Sequence, residues 1–193
     1  ASRVMKGFDL IVGDGYGVGD ELCRKLVSSL ALLGDVAGFV VVAPAVLAEG
    51  GKVSKTEGQL RMVSAFGAAQ QGWSVLPQTS CIPPGPMGQL ASDAGRVVLT
   101  HLQTLAEAAK SGEIHGIVYA PLNKQAMKRA GHVAGDELDF FTTHLPAAGL
   151  IGEINIPDHL WTSRVTSHVP LHDVAPLITR ERVGASIDLL ATA

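Results

Sequence analysis

Apolar positions along this chain come in two rhythms: short dense runs, and longer stretches that repeat every three or four residues. Phe8–Val12 is a run of the first kind. It ends in the glycine string GDGYGVGD and leads into ELCRKLVSSLALLG, where Leu22, Leu26, Leu30 and Leu33 fall on one helical face and Gly34 supplies a stop. GFVVVAP reads as a strand covered on both faces, because Val40, Val41 and Val42 leave no polar side to turn to water. Residues 50–76 fit neither rhythm. PQTSCIPPGPMGQLASDAG, with Pro77, Pro83, Pro84 and Pro86, reads as a long surface loop. Ser92 is expected to cap a helix in which Val97, Val98, His101, Leu102, Leu105, Ala108 and Ala109 recur before Gly112. HGIVYAP is then a strand, Pro121 opens a helix through PLNKQAMKRAG, and Gly131 closes it. SRVTSHV reads as a further strand, and Thr179 caps a last helix with Val183, Ile187 and Leu190 on one face.

Strands alternating with helices imply an α/β fold with a mostly parallel sheet. Composition supports a sizeable core, since 47% of the 193 residues are apolar. The balance of 15 basic against 18 acidic residues, with no Lys/Arg cluster, argues against a nucleic-acid partner. Proline or charge breaks every apolar run well before the ~18 residues of a membrane span, and the first residues lack a signal-peptide layout. A soluble, cytoplasmic protein is expected. Cys23 and Cys81 lie far apart without a metal-type spacing and read as reduced packing thiols.

Several segments carry candidate chemistry. Gly13, Gly15, Gly17 and Gly19 lie between a strand and a helix, where backbone N–H groups can face an anion or simply make a tight turn. Their spacing is not G-x-G-x-x-G, and Asp14, Asp20 and Glu21 make the loop acidic, which disfavours a phosphate-binding transferase. Lys124 sits in a first helical turn against the helix dipole, after a strand end, so it reads as substrate-facing or as a solvated lysine. Asp136, Glu137 and Asp139 either compensate the dipole of a helix they open or line a site with carboxylates. His132 and His144 read as structural. His168 follows a strand end, and Asp173 is near enough in sequence to orient its imidazole; a metal site needs further ligands from elsewhere.

Three of these segments, in order, resemble one family. GDGYGVGDEL is similar to the G-D-P-x-G-I-G-P-E-L of the 4-hydroxythreonine-4-phosphate dehydrogenases, and to the G-D-G-I-G-P-E of the wider isocitrate and isopropylmalate dehydrogenase superfamily. GIVYAPLNKQAMKRAG resembles their strand, G-P-x-x-K and a helix ending A-G, and RVTSHVPLHDVAPLITRERV resembles their R-V-x-x-x-T-H-x-P-L-R-D-V-x-x-x-I-T. The resemblance implies a three-layer isocitrate/isopropylmalate-dehydrogenase-like fold, with residues 1–133 in a first α/β domain and residues 134–193 opening a second. It implies NAD-dependent oxidation of a secondary alcohol beside a carboxylate, with loss of carbon dioxide. The alcohol oxygen would be polarised by a divalent metal, zinc, magnesium or cobalt. It further implies a small hydroxy-acid substrate and a homodimer. By position, His168 takes the metal-ligand role, Lys124 and Asp173 are the catalytic candidates, and Asp136 and Glu137 stand at the substrate position.

Two departures modify the expectation. The family reads G-H-T-E-F where this chain has Gly135, Asp136, Glu137, Leu138 and Asp139, so carboxylates replace a histidine and a threonine that meet substrate. No counterpart of the family's later N-P-H-A-G-E and H-D-Q-G segments follows RVGASIDLLATA. The 193 residues alone are therefore expected to bind zinc weakly and turn over little. The alternative is a non-catalytic relative acting as a binding or structural module.

Overall fold

The computed structural model describes residues 7–11, 16–29, 37–56, 61–68, 72–78, 88–133, 137–145 and 151–193. The chain divides into two compact units, Ala1–Leu145 and Pro146–Ala193.

In the first unit, strands β1 (Gly7–Ile11), β2 (Ala37–Val42), β3 (Arg61–Met62), β4 (Gly72–Pro77) and β5 (Ile117–Tyr119) form one sheet in the order β3-β4-β2-β1-β5. Every pairing in it is parallel. Side chains alternate across a strand, and the core divides accordingly. Val40 and Val42 of β2 and Val75 of β4 pack with Cys23 and Val27 of α1 (Gly19–Ser29) and with Val46 and Leu47 of α2 (Pro44–Ser54). Val41 and Leu76, on the opposite face, pack with Val98, Leu102 and Leu105 of α3 (Ser92–Ser111), Met127 of α4 (Lys124–Arg129) and Phe140 of α5 (Glu137–His144). The result is the expected three-layer α/β sandwich of helices on both faces of a parallel sheet. The boundary anticipated after residue 133 lies ahead of α5, whose Phe140 is 5% exposed within the first unit's core.

Several local readings are corrected. Leu22 and Leu26 are exposed, and the buried face of α1 carries Asp20, Cys23 and Val27. The reason lies in how closely α1 and α2 approach: a Cβ on Gly50 would stand 2.5 Å from the Asp20 carbonyl oxygen, so small residues fill the seam and the leucines are turned out. Ser92 is the first helical residue of α3, and Ala91 occupies the cap position without a side-chain bond. Helix α4 starts at Lys124 instead of Pro121, because the Asn123 side chain accepts the Ala126 N–H at 3.0 Å and satisfies an otherwise orphaned donor. Within 50–76, the end of α2 and strands β3 and β4 were not anticipated.

The second unit holds a two-stranded antiparallel ribbon, β6 (Ile154–Asn155) with β7 (Thr162–Ser163), followed by α6 (Leu171–Leu177) and α7 (Arg180–Thr192). The strand anticipated over SRVTSHV is therefore cut to its first residue, Ser163, and 164–169 is irregular. Thr179 caps α7 as expected, accepting from the Arg182 N–H at 3.3 Å. No described helix is long and apolar enough to cross a membrane.

Candidate functional site

Lys124 stands just beyond the carboxyl end of β5, the side of an open parallel sheet where ligands gather. Its Nζ lies 3.1 Å from Oε2 of Glu137, the first residue of α5. The carboxylate is largely sheltered, with 14% side-chain exposure, while half of the lysine remains open. Glu137 thus does two things at once: it compensates the dipole of α5 and answers the lysine charge that the dipole of α4 opposes. Asn123 sets the start of α4 and so the position from which Lys124 reaches. Asp136, Gly13 and Gly15 lie outside the described residues, as does Cys81.

Around this pair the aromatic side chains are structural. His144 stacks on Phe140 with ring centroids 4.1 Å apart and bonds the Phe140 carbonyl through Nδ1 at 2.8 Å. Phe140 also meets Phe141 edge-on and His132 at 5.8 Å. Cys23 is a packing thiol, as expected: burial, with help from the Asp20 charge, pushes it up to about 12, far from the thiolate form a nucleophile needs. Burial likewise raises Asp20 above the ordinary carboxylate range.

His168, in the second unit, is exposed and carries a left-handed backbone, φ 55°. Residues other than glycine adopt that conformation only occasionally, histidine more readily than most, at a modest cost in backbone energy. The segment before it is tied down by Glu153, whose Oε2 accepts from Arg164 Nη1 at 3.1 Å and from Ser167 Oγ at 3.3 Å. Asp173 lies in the first turn of α6, where its carboxylate is 3.3 Å from Nε2 of the neighbouring His172. Neither the Lys124–Glu137 pair nor the Glu153 tie was evident in the sequence, since charges on different elements leave no periodic signal. Among the described residues no three His, Cys, Asp or Glu side chains converge as a metal shell. The described residues therefore do not by themselves make up a metal shell.

A parallel sheet covered by helices on both faces defines a three-layer α/β protein. The chain belongs to the PdxA family: the family model described as pyridoxal phosphate biosynthetic protein PdxA matches residues 36–193. A protein of Pasteurella multocida named "Putative 4-hydroxythreonine-4-phosphate dehydrogenase" is 32% identical over 188 residues, covering 94% of this chain and 56% of that protein. A D-threonate 4-phosphate dehydrogenase of Bordetella bronchiseptica is 28% identical, covering 92% of this chain and 52% of that protein. The crystal structure of a 4-hydroxythreonine-4-phosphate dehydrogenase from Burkholderia phymatum superposes with a TM-score of 0.81 at 22% identity, over 96% of this chain and 57% of that one. The fold is thus shared with that dehydrogenase. The chain spans about half the length of the curated relatives it matches.

Proposed function

We propose that the protein is an NAD-dependent dehydrogenase that oxidises the secondary alcohol of a small hydroxy acid, with decarboxylation, as a variant of the 4-hydroxythreonine-4-phosphate dehydrogenases. The observation that carries the reading is the family match across residues 36–193, a span that includes Lys124, Asp136, Glu137, His168 and Asp173. NAD and a divalent metal, zinc, magnesium or cobalt, are the cofactors of this reading, with His168 as a metal ligand. The strained backbone at His168 supports a functional role, because such strain collects where function requires it. Lys124 and Asp173 are the catalytic candidates, and Asp136 and Glu137 meet the substrate.

The substrate is less anionic at that end than its phosphorylated counterparts. Lys124 is already answered by Glu137, so an incoming phosphate meets a neutralised pair. The attraction that an unanswered lysine would offer, roughly 3 kcal/mol at ~5 Å and an effective dielectric of ~20, is lost. The test is NADH formation by the full-length protein with 4-phosphohydroxythreonine and with its unphosphorylated form, in the presence of each metal. Metal-dependent turnover should fall at least a hundredfold in His168→Ala. It should favour the unphosphorylated acid, a preference reversed in Asp136→His with Glu137→Thr. No NADH from either substrate with any of the metals would sink the enzyme reading in favour of a non-catalytic relative.

We also propose a homodimer. Leu160, Trp161, Ile178 and Ile187 of the second unit are all more than two-fifths exposed, and Leu171 is 89% exposed, an apolar surface that association would cover. Light scattering across a wide concentration range should give a dimer mass, and a monodisperse monomer throughout would count against it.

A further inference from the structure

Where α7 lies on β7, the second unit forms a half-open pocket of about 180 Å³. Its lining includes Arg164 and Arg182, Ser163 and Ser186, with Ile151 and Leu189 as apolar wall. The two serine hydroxyls are bonded to each other at 3.0 Å, which ties β7 to α7 and leaves the accepting hydroxyl its own proton to donate. Arg164 gives Nη1 to Glu153 and keeps its other guanidinium donors. Among the described residues the guanidinium of Arg182 has no ion-pair partner. Two cations thus face the cavity against the one carboxylate of Glu153, and a guanidinium fork matches a phosphate or carboxylate better than any other small ligand.

We propose that this cavity binds a small oxyanion, a phosphate or carboxylate group, held by Arg182, the free donors of Arg164 and one serine hydroxyl. It is smaller than the pockets of roughly 300 Å³ and upward that take drug-sized ligands, and a phosphate-sized group fits it. Neither the dehydrogenase reading nor any of its candidate residues enters this inference. The serines add hydrogen-bond donors beside the two guanidinium groups.

The experiment is a titration of the full chain with inorganic phosphate and, separately, with acetate, followed by backbone amide NMR shifts. Saturable shifts are expected at 163–165 and 182–186. Arg182→Gln should weaken binding at least tenfold. Glu153→Gln should tighten it severalfold by releasing Arg164, a gain that a merely structural role for Glu153 would not produce. Ser186→Ala, with its thermal midpoint checked beside that of Arg182→Gln, guards against simple loss of folding. Saturation by phosphate alone would assign the site to phosphoryl groups, and competition by acetate would extend it to carboxylates. Binding that survives Arg182→Gln and ignores Glu153→Gln, or shifts confined to other residues, would overturn the proposal.

Discussion

Gly95→Ala should destabilise the first unit by about 2 kcal/mol or more, although the same exchange in an open helix stabilises by up to ~1 kcal/mol. Gly95 lies inside α3 and is fully buried. A Cβ there would overlap the Ala126 carbonyl of α4 and stand 2.7 Å from the Met127 amide nitrogen. Those are backbone atoms of a helix whose Ala126 and Met127 are each 1% exposed, so nothing near them can swing away. The helices must part, and contacts of Met127 with the α3 core go with them. Because Lys124 opens α4, the displacement also reaches the ion pair with Glu137. Gly184→Ala in α7 is the control, since a Cβ there meets nothing within 4 Å and helix propensity alone should act. Urea unfolding of both variants gives the answer, and a Gly95→Ala protein as stable as the parent would refute the close-packing argument.

The parts of the fold legible in the sequence are those where one force dominates. Val40–Val42 announced a strand because both faces of β2 are buried, Val41 toward α3 and its neighbours toward α1 and α2. The periodicity of α3 was plain because Val98, Leu102 and Leu105 recur along one buried face. Helix α2 was hidden by its own composition. Pro44 stands in its first helical turn directly after the strand run, and Gly50 and Gly51 weaken helix propensity. Gly50 is required by the close approach to α1, a tertiary demand that no local signal records. The same seam explains the inverted face of α1, since a four-residue leucine spacing says which residues share a side and not which side is buried.

The candidate site was legible as chemistry and not as geometry. The sequence marked Lys124 as misplaced by the helix dipole and Glu137 as well placed, two facts that belong to one contact joining separate helices. His168 was visible through the T-S-H-V-P-L segment, whereas its left-handed backbone and the Glu153 tie behind it depend on how the chain folds back from β6. Asp173 was expected to orient His168. Its carboxylate lies 3.3 Å from Nε2 of the adjacent His172, because α6 begins at Leu171 and sets both side chains in its first turn.

His101 should make stability depend on pH between about 4 and 6.5, and His101→Leu should remove that dependence. The imidazole is 2% exposed on α3, and neither ring nitrogen has a hydrogen-bond partner. Burial holds it in the neutral form and lowers its pKa from 6.5 to about 4. Between those two values the unfolded chain binds a proton that the folded chain does not. Stability from this group is therefore complete above pH 6.5 and drains away as pH falls toward 4, by about 3 kcal/mol in all. Asp20 works in the opposite direction: its raised carboxyl pKa favours the folded state at low pH and loses that contribution as pH rises. The difference between the parent and His101→Leu at each pH cancels the Asp20 contribution and isolates the histidine. At neutral pH the leucine should already be ahead by about 1 kcal/mol or more, since it fills similar space without two unsatisfied polar nitrogens. By pH 4 the gap should have grown by about 3 kcal/mol. Parallel stability curves for the two proteins from pH 7 to pH 4 would show that His101 is protonated as easily in the folded state as in the unfolded one, which an unpartnered imidazole in this core does not allow.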